Sequence, residues 1–375
     1  MSYRQESATF DDEILALIER WSDTGEPIAD AEFDDLALRL FDYQFRYNEP
    51  YARYCAARGS GASTPRTWHE ITPVPTTAFK DAVIATFDVN RAALTFETSG
   101  TTRGRSGRHY FESGDLYDAA LLAGFDRFML PDAARLQYFN LVPDPRRRPQ
   151  SSLGYMMARV ARQRGIGVTG WYVDGDALVF DAFVRDLQVA CAEGSPVCIA
   201  TTAFALAYVL ERLEERRLTF ALPARSRMME TGGFKGRARS VDRTDLYRSA
   251  AGAFGMPLRA IVAEYGMTEL TSQYYDDTLV RAHAGEIAAR RKFGPPWLRT
   301  RVVGPDGATL PDGTVGALVH VDLANRASCI AIATEDLGAR FSGPDGDELL
   351  LIGRERGAEL RGCSLDAETL RAHAR

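Results

Sequence analysis

The sequence predicts an α/β fold: parallel-rich sheets with flanking helices, joined to a smaller β-rich subdomain and preceded by a helical lead-in. Three observations predict it. Between about residues 92 and 263, short β-like runs alternate with helical stretches, a pattern that means parallel strands with crossover helices. Residues 1 to about 90 carry helical periodicity and then turns. Beyond about residue 298, strand-like runs are joined by turns such as Pro305-Asp306-Gly307 and Pro311-Asp312-Gly313.

The lead-in, 1–90, is expected to pack on the core. Asp11 and Asp12 precede Ile14, Leu15, Ile18 and Trp21, an apolar face at helical spacing with acids at its favourable end. A second helix runs over Phe33, Leu36, Ala37, Leu40 and Phe41 and should end by Asn48-Glu49-Pro50. The α/β core is assigned to 91–298, with strands at 92–96, 137–142, 167–173, 197–201, 227–230 and 258–263. Its helices lie at 116–128, 153–164, 203–217 and 242–254. Functional loops in such sheets sit at the carboxyl ends of strands. The β-rich subdomain, 299–352, has strands at 300–303, 317–321 and 348–352, and a tail occupies 353–375.

Composition narrows the function. The 375 residues include 45 basic and 51 acidic ones, and hydrophobic residues make up 45%. That is ordinary globular usage, against disorder. A net charge of -6 argues against broad nucleic-acid binding, which needs clustered basic surface. The longest mostly apolar stretch, 197–210, is too short for a membrane span. The first 13 residues show no apolar signal region. Five cysteines without a C-x-x-C pair argue against a zinc site or a disulfide framework and point to a reducing, cytoplasmic setting. Buried structural thiols are the expectation for Cys191, Cys198 and Cys329. The histidines show no metal-ligand spacing; His109 is placed equally well at a phosphate or on the surface.

The most unusual segment is Thr98-Ser99-Gly100-Thr101-Thr102-Arg103-Gly104-Arg105-Ser106-Gly107-Arg108. Four hydroxyl side chains and one glycine fill five positions after a strand, and three arginines follow within six. Glycine lets backbone N–H groups approach an anion, hydroxyls add donors and arginines add charge, as a polyphosphate would require. It is not the Walker pattern, and a polar surface loop has the same composition.

Further segments occur in order: Glu264-Tyr265-Gly266-Met267-Thr268-Glu269 after an apolar strand, Thr334-Glu335-Asp336-Leu337-Gly338, and Gly353-Arg354. Singly, the first two read as strand–turn punctuation and the third as a solvated charge run. Together the series resembles the adenylate-forming superfamily of acyl- and aryl-CoA synthetases, adenylation domains and luciferases. Within it the chain looks most like the LuxE-type acyl-protein synthetases. Pro75-Thr76-Thr77-Ala78-Phe79-Lys80, Thr202-Ala203-Phe204, Glu230-Thr231-Gly232-Gly233-Phe234-Lys235 and Arg361-Gly362-Cys363-Ser364-Leu365 add to the likeness, which covers roughly residues 70 to 370.

The resemblance implies an adenylate-forming N-terminal-type core with a truncated C-terminal domain. It implies that ATP, with Mg²⁺, and a carboxylic acid, a fatty one for this subfamily, give an acyl-adenylate and pyrophosphate. Thr98, Ser99, Gly100, Thr101 and Thr102 would hold the β- and γ-phosphates. The family's loop lysine is absent, so Arg103, Arg105 or Arg108 would serve, as a fork rather than a point charge. Glu264, Tyr265 and Gly266 would border adenine, Thr268 would contact the α-phosphate, and Glu269 would help hold Mg²⁺. Asp336 would accept from the ribose hydroxyls and Arg354 would approach ribose or phosphate. Phe204, Gly232, Gly233 and Phe234, with Met229, would line the acyl pocket. Superfamily synthetases end in a mobile domain with a catalytic lysine; the 21 residues after Arg354 contain none.

The same resemblance makes Cys363 the acyl acceptor, passing a thioester to a reductase. Its setting agrees: Ser364, Asp366 and Glu368 read as a helix start, and Arg361 adds positive charge, both of which favour thiolate. Two rival readings stand beside it. One is an adenylating ligase that delivers to a carrier-protein or CoA thiol. The other is a non-catalytic subunit that keeps the fold.

Overall fold

The computed structural model describes residues 2–61, 65–98, 106–175, 177–232, 243–286, 289–343 and 346–354. In chain order the helices are α1 (Tyr3–Thr24), α2 (Asp30–Tyr47), α3 (Glu49–Ala57), α4 (Ala78–Asp81), α5 (Asp115–Met129), α6 (Ser152–Arg164), α7 (Phe180–Glu193), α8 (Ala203–Glu215), α9 (Arg243–Phe254) and α10 (Thr278–His283). The strands are β1 (Val74–Pro75), β2 (Leu94–Glu97), β3 (Arg108–Phe111), β4 (Gln137–Leu141), β5 (Gly170–Trp171), β6 (Val173–Asp174), β7 (Ala177–Leu178) and β8 (Val197–Thr202). They continue with β9 (Arg227–Thr231), β10 (Ile261–Tyr265), β11 (Tyr274–Asp276), β12 (Lys292–Phe293), β13 (Leu298–Val303), β14 (Gly316–Asp322), β15 (Ala331–Phe341) and β16 (Glu348–Arg354). The described residues form two compact units. The first draws on Met1–Ala123, Met267–Gln273 and Arg291–Arg375; the second on Gly124–Gly266 and Tyr274–Arg290.

The second unit holds the parallel sheet, in strand order β11-β10-β9-β8-β4-β5. All neighbouring pairs are parallel except β10 with β11. Its central strand β8 is a continuous apolar run: Val197, Cys198, Ile199 and Ala200 are all fully buried. A strand covered on both faces requires this. Phe183, Leu187, Leu206, Val209, Met228, Phe254 and Ile261 share one apolar cluster on that sheet.

The first unit is built on an antiparallel sheet, β13-β14-β15-β16-β12, with β1 added parallel to β15. Helices α1 and α2 bury Ile14, Ile18, Trp21, Phe33, Leu40 and Phe41. Trp21 meets Trp297 edge-on at 5.3 Å. Arg326, 3% exposed, holds Asp11 at 2.6 Å and Glu112 at 2.8 Å, which fastens α1 to the segment after β14.

Several expectations need correction. The first helix starts at Tyr3, not near Asp11, because Ser2 and Gln5 form a capping box. Asn48-Glu49-Pro50 ends one helix and also begins another. Asn48 Oδ1 accepts from the Tyr51 amide, and Pro50 sits in the first turn of α3, where its missing N–H costs nothing. The run at 92–96 does not join the parallel sheet; β2 pairs antiparallel with β3. Residues 258–260 form a 3₁₀ turn, so the strand there runs through Glu264 and Tyr265. Of 167–173, only Gly170 and Trp171 pair with β4, while β6 pairs with β7. Residues 334–338, read as punctuation, lie inside the eleven-residue β15. Helix α7 was missed, although Phe180, Phe183, Val184, Leu187 and Ala190 keep helical spacing.

Candidate active site

In the second unit the ends of three adjacent parallel strands form one row. Thr202 ends β8 and pairs in register with Thr231 of β9, which pairs with Glu264 of β10. Three separated motifs (TAF, ETGG and EYG) are thereby brought side by side at the carboxyl edge of the sheet, where open α/β folds bind ligands. The Thr231 hydroxyl donates to Glu264 Oε2, which ties two of the motifs directly. Beneath the row, Tyr247 Oη donates to the fully buried Glu230 at 2.6 Å. The Tyr265 ring lies 5.9 Å from Tyr274.

Local sequence fixes this edge. Thr202 caps α8 by accepting from the Ala205 amide at 3.2 Å, so Phe204 falls in the first helical turn, where it is 47% exposed. Gly232 follows β9 with φ of +79°, a conformation that a Cβ makes costly. Gly266 follows Tyr265, and Met229 is fully buried in β9. Gly233 and Phe234 lie outside the described residues, as does Lys235.

In the first unit the hydroxyl-rich loop leaves β2 and returns in β3. Its neck is closed twice: the Thr98 amide donates to the Gly107 carbonyl at 2.9 Å, and the Gly107 amide donates to Thr98 Oγ1 at 2.9 Å. A Cβ on Gly107 would stand 3.1 Å from the Phe79 backbone, so glycine lets β3 pass close to α4. Arg108 pairs with Glu97 at 3.1 Å. Ser99, Gly100, Thr101, Thr102, Arg103 and Arg105 lie outside the described residues.

His109, two residues past the neck, is 1% exposed. This overturns surface placement. Its Nδ1 lies 2.7 Å from the Thr268 carbonyl oxygen. A carbonyl only accepts, so Nδ1 carries the proton. Burial pushes the imidazole down to about 4, against the Thr268 carbonyl, which raises it. The ring packs between Phe79 and Phe111.

Thr268 and Glu269 belong to the irregular segment 267–273, and Glu269 is 7% exposed. The segment is held by side chains from the end of β14 and just after it. Asn325 Nδ2 donates to the Glu269 carbonyl at 2.8 Å, and the Thr271 hydroxyl donates to Asn325 Oδ1 at 2.7 Å. Asp322 accepts from the Thr271 amide (3.0 Å), the Ser272 amide (2.8 Å) and the Ser272 hydroxyl (3.0 Å). Burial pushes Asp322 up to about 6, against these donors, which lower it. Sequence reasoning missed Asp322 and Asn325. Their signal was an Asp-x-x-Asn turn closing a mostly apolar strand.

Asp336 lies in β15, 9% exposed, opposite Arg354 of β16 in the antiparallel register. The TEDLG and GR motifs therefore meet across one strand pair. Cys363 lies outside the described residues. Among the described cysteines, Cys55, Cys198 and Cys329 are buried free thiols, each pushed up to about 12 chiefly by burial. Cys191 is only half-buried. Among the described residues, no cluster of three or more His, Cys, Asp or Glu is arranged to hold a metal ion. No described helix is long and apolar enough to cross a membrane.

No protein-family model and no curated protein sequence matches the chain. Solved structures do match it. 2-Hydroxyisobutyryl-CoA ligase with its acyl-AMP and CoA, in the thioesterification state, has a TM-score of 0.65 at 13% identity, covering 88% of this chain and 69% of that one. An open conformation of the same ligase gives 0.62 at 13% identity, covering 88% and 71%. The amide bond synthetase McbA from Marinactinospora thermotolerans gives 0.48 at 18% identity, covering 71% of this chain and 49% of that one. The chain thus spans about half the length of that synthetase.

Proposed function

The chain has the mixed α/β core fold of adenylate-forming enzymes, and we propose that it uses ATP to activate a carboxylic acid as its acyl-adenylate. What carries this reading is the row Thr202–Thr231–Glu264, three motifs of the adenylate-forming pattern met at the ligand-binding edge of a parallel sheet. A carboxylate oxygen bonds to the α-phosphorus of ATP, the bridging bond to the β-phosphate breaks, and pyrophosphate leaves. The reaction joins two anions, so positioning and charge neutralisation supply most of the rate.

Thr98 to Thr102 with Arg105 would hold the β- and γ-phosphates, Glu264, Tyr265 and Gly266 the adenine, Thr268 the α-phosphate, and Asp336 and Arg354 the ribose. Phe204, Gly232, Gly233 and Phe234 would line the acid pocket. Glu269 suits Mg²⁺: it is a largely buried carboxylate, and Mg²⁺ is usually held by one or two carboxylates plus substrate phosphates. The ion supplies charge neutralisation on the phosphates when bound.

In the second half-reaction the Cys363 thiolate bonds to the acyl carbon, the acyl–oxygen bond to AMP breaks, and AMP leaves. The thioester then passes to a reductase, as in a LuxE-type acyl-protein synthetase acting on a fatty acid in the cytoplasm. Acid-dependent ATP–pyrophosphate exchange, screened over fatty and aromatic acids, tests the first half. Cys363→Ser should keep exchange but lose hydroxylamine-sensitive labelling of the protein by radiolabelled acid. Label retained in the variant removes Cys363 as acceptor. Exchange without any protein labelling favours a carrier-protein or CoA thiol instead. No pyrophosphate release with any acid leaves a non-catalytic subunit.

A further inference from the structure

The segment 267–273 has no regular secondary structure, yet Leu270, Thr271 and Ser272 are buried. Its backbone groups must therefore find partners elsewhere. Two consecutive carbonyls, those of Thr268 and Glu269, are each taken by a buried side chain from a distant part of the sequence: His109 in β3 at 2.7 Å and Asn325 after β14 at 2.8 Å. Both side chains are 1% exposed, and both line one cavity of about 10 Å³ together with Thr271.

Each clamp has a specific chemistry. Asn325 makes three bonds: it donates to the Glu269 and Cys329 carbonyls and accepts from the Thr271 hydroxyl. It thus ties the segment to the chain that leads into β15, where Asp336 lies. His109 is separated from the neck residue Gly107 by Arg108 alone, so one rigid ring stands between the neck and the Thr268 carbonyl. Phe79 and Phe111 pack that ring, at centroid distances of 5.7 Å and 4.1 Å.

We propose that His109 and Asn325 are positioning residues that fix Thr268 and Glu269 through their backbone carbonyls, and that His109 links the neck closed between Thr98 and Gly107 to Thr268. This rests on the adenylation reading, which assigns Thr268 to the α-phosphate and Glu269 to Mg²⁺. Neither clamp touches the reacting atoms. Loss of such outer support costs about 10- to 100-fold in activity or metal affinity.

The experiment compares three variants of the full chain. His109→Asn keeps an N–H near the position of Nδ1, His109→Gln places its amide near Nε2, and His109→Phe keeps a ring without a donor. In acid-dependent pyrophosphate exchange, the Gln and Phe variants should lose about 10- to 100-fold in kcat with KM for the acid unchanged, while the Asn variant is rescued. In a Thr268→Ala background the His109→Phe loss should shrink, because the coupled side chain is gone. Asn325→Asp, which keeps the acceptor but loses both donors, should raise the Mg²⁺ concentration needed for half-maximal rate by about 10-fold. Equal losses in all three His109 variants, tracking their melting temperatures, would overturn the proposal, as would a full His109→Phe loss in the Thr268→Ala background. Should the wild type show no exchange, the adenylation reading fails by itself. The His109 clamp is then read by ¹⁵N-histidine NMR: a proton on Nδ1 supports it, and a proton on Nε2 overturns it.

Discussion

The two units place their candidate site residues by different physical means. In the second, the parallel sheet delivers them: Thr202, Thr231 and Glu264 stand in a row because consecutive strands are in register. The ladder and the apolar cluster packed on the sheet set the positions. In the first unit, Thr268 and Glu269 sit on an irregular segment, and buried polar side chains hold it in place of a ladder. The contrast teaches that a sheet edge finds its backbone partners in its own ladder, whereas a loop needs an acceptor or donor from elsewhere for each backbone group it buries.

The largest effect should come from removing the acceptor that serves most of the loop. Asp322→Ala leaves the Thr271, Ser272 and Ala324 amides and the Ser272 hydroxyl without their acceptor. It should cost about 3–5 kcal/mol in urea unfolding. Below it comes a pH effect of two opposite signs within this same unit. Burial holds His320 down at about 4 against 6.5 when unfolded, so its contribution to stability is lost as pH falls through that window. Burial holds Asp322 up at about 6 against 3.8, so its contribution is lost as pH rises from 3.8 to about 6. Between about pH 4.5 and 6, His320→Asn should remove about 1.4 kcal/mol per pH unit of upward slope in unfolding free energy, and Asp322→Asn should add as much. Slopes that move in the same direction would break the assignment. The smallest effect belongs to the sheet unit: Tyr247→Phe loses one bond to Glu230 and should cost about 1.5 kcal/mol. If that loss equals the Asp322→Ala loss, the contrast between the units is wrong.

How much was legible follows the same division. The strands at 197–201 and 227–230 and the helices at 153–164 and 203–217 came out within two residues of β8, β9, α6 and α8, because continuous apolar runs and helical periodicity are local signals. Strand β15 was missed, since Thr334, Glu335 and Asp336 interrupt its apolar pattern and only pairing with β14 and β16 makes it a strand. The motifs marked Glu264, Thr268 and Asp336 as candidates and contained Thr231, but nothing local tells that Thr231 donates to Glu264. His109 was noticed for its neighbourhood and could not be placed, because its partner lies 159 residues away. Asn325 lies 56 residues from the carbonyl it holds. Long-range polar pairing has no period, so it leaves no trace in spacing.

Under the proposed adenylation reading, the doubly closed neck between Thr98 and Gly107 has a consequence for how a phosphate would be received. A threonine hydroxyl has two lone pairs and one hydrogen. Bonding to the Gly107 amide occupies a lone pair of Thr98 and leaves its hydrogen free to turn. An arriving phosphate oxygen can therefore take that hydrogen while the latch stays shut, so capture of the guest need not unfasten the door. Serine in its place would keep both capacities; valine would keep neither.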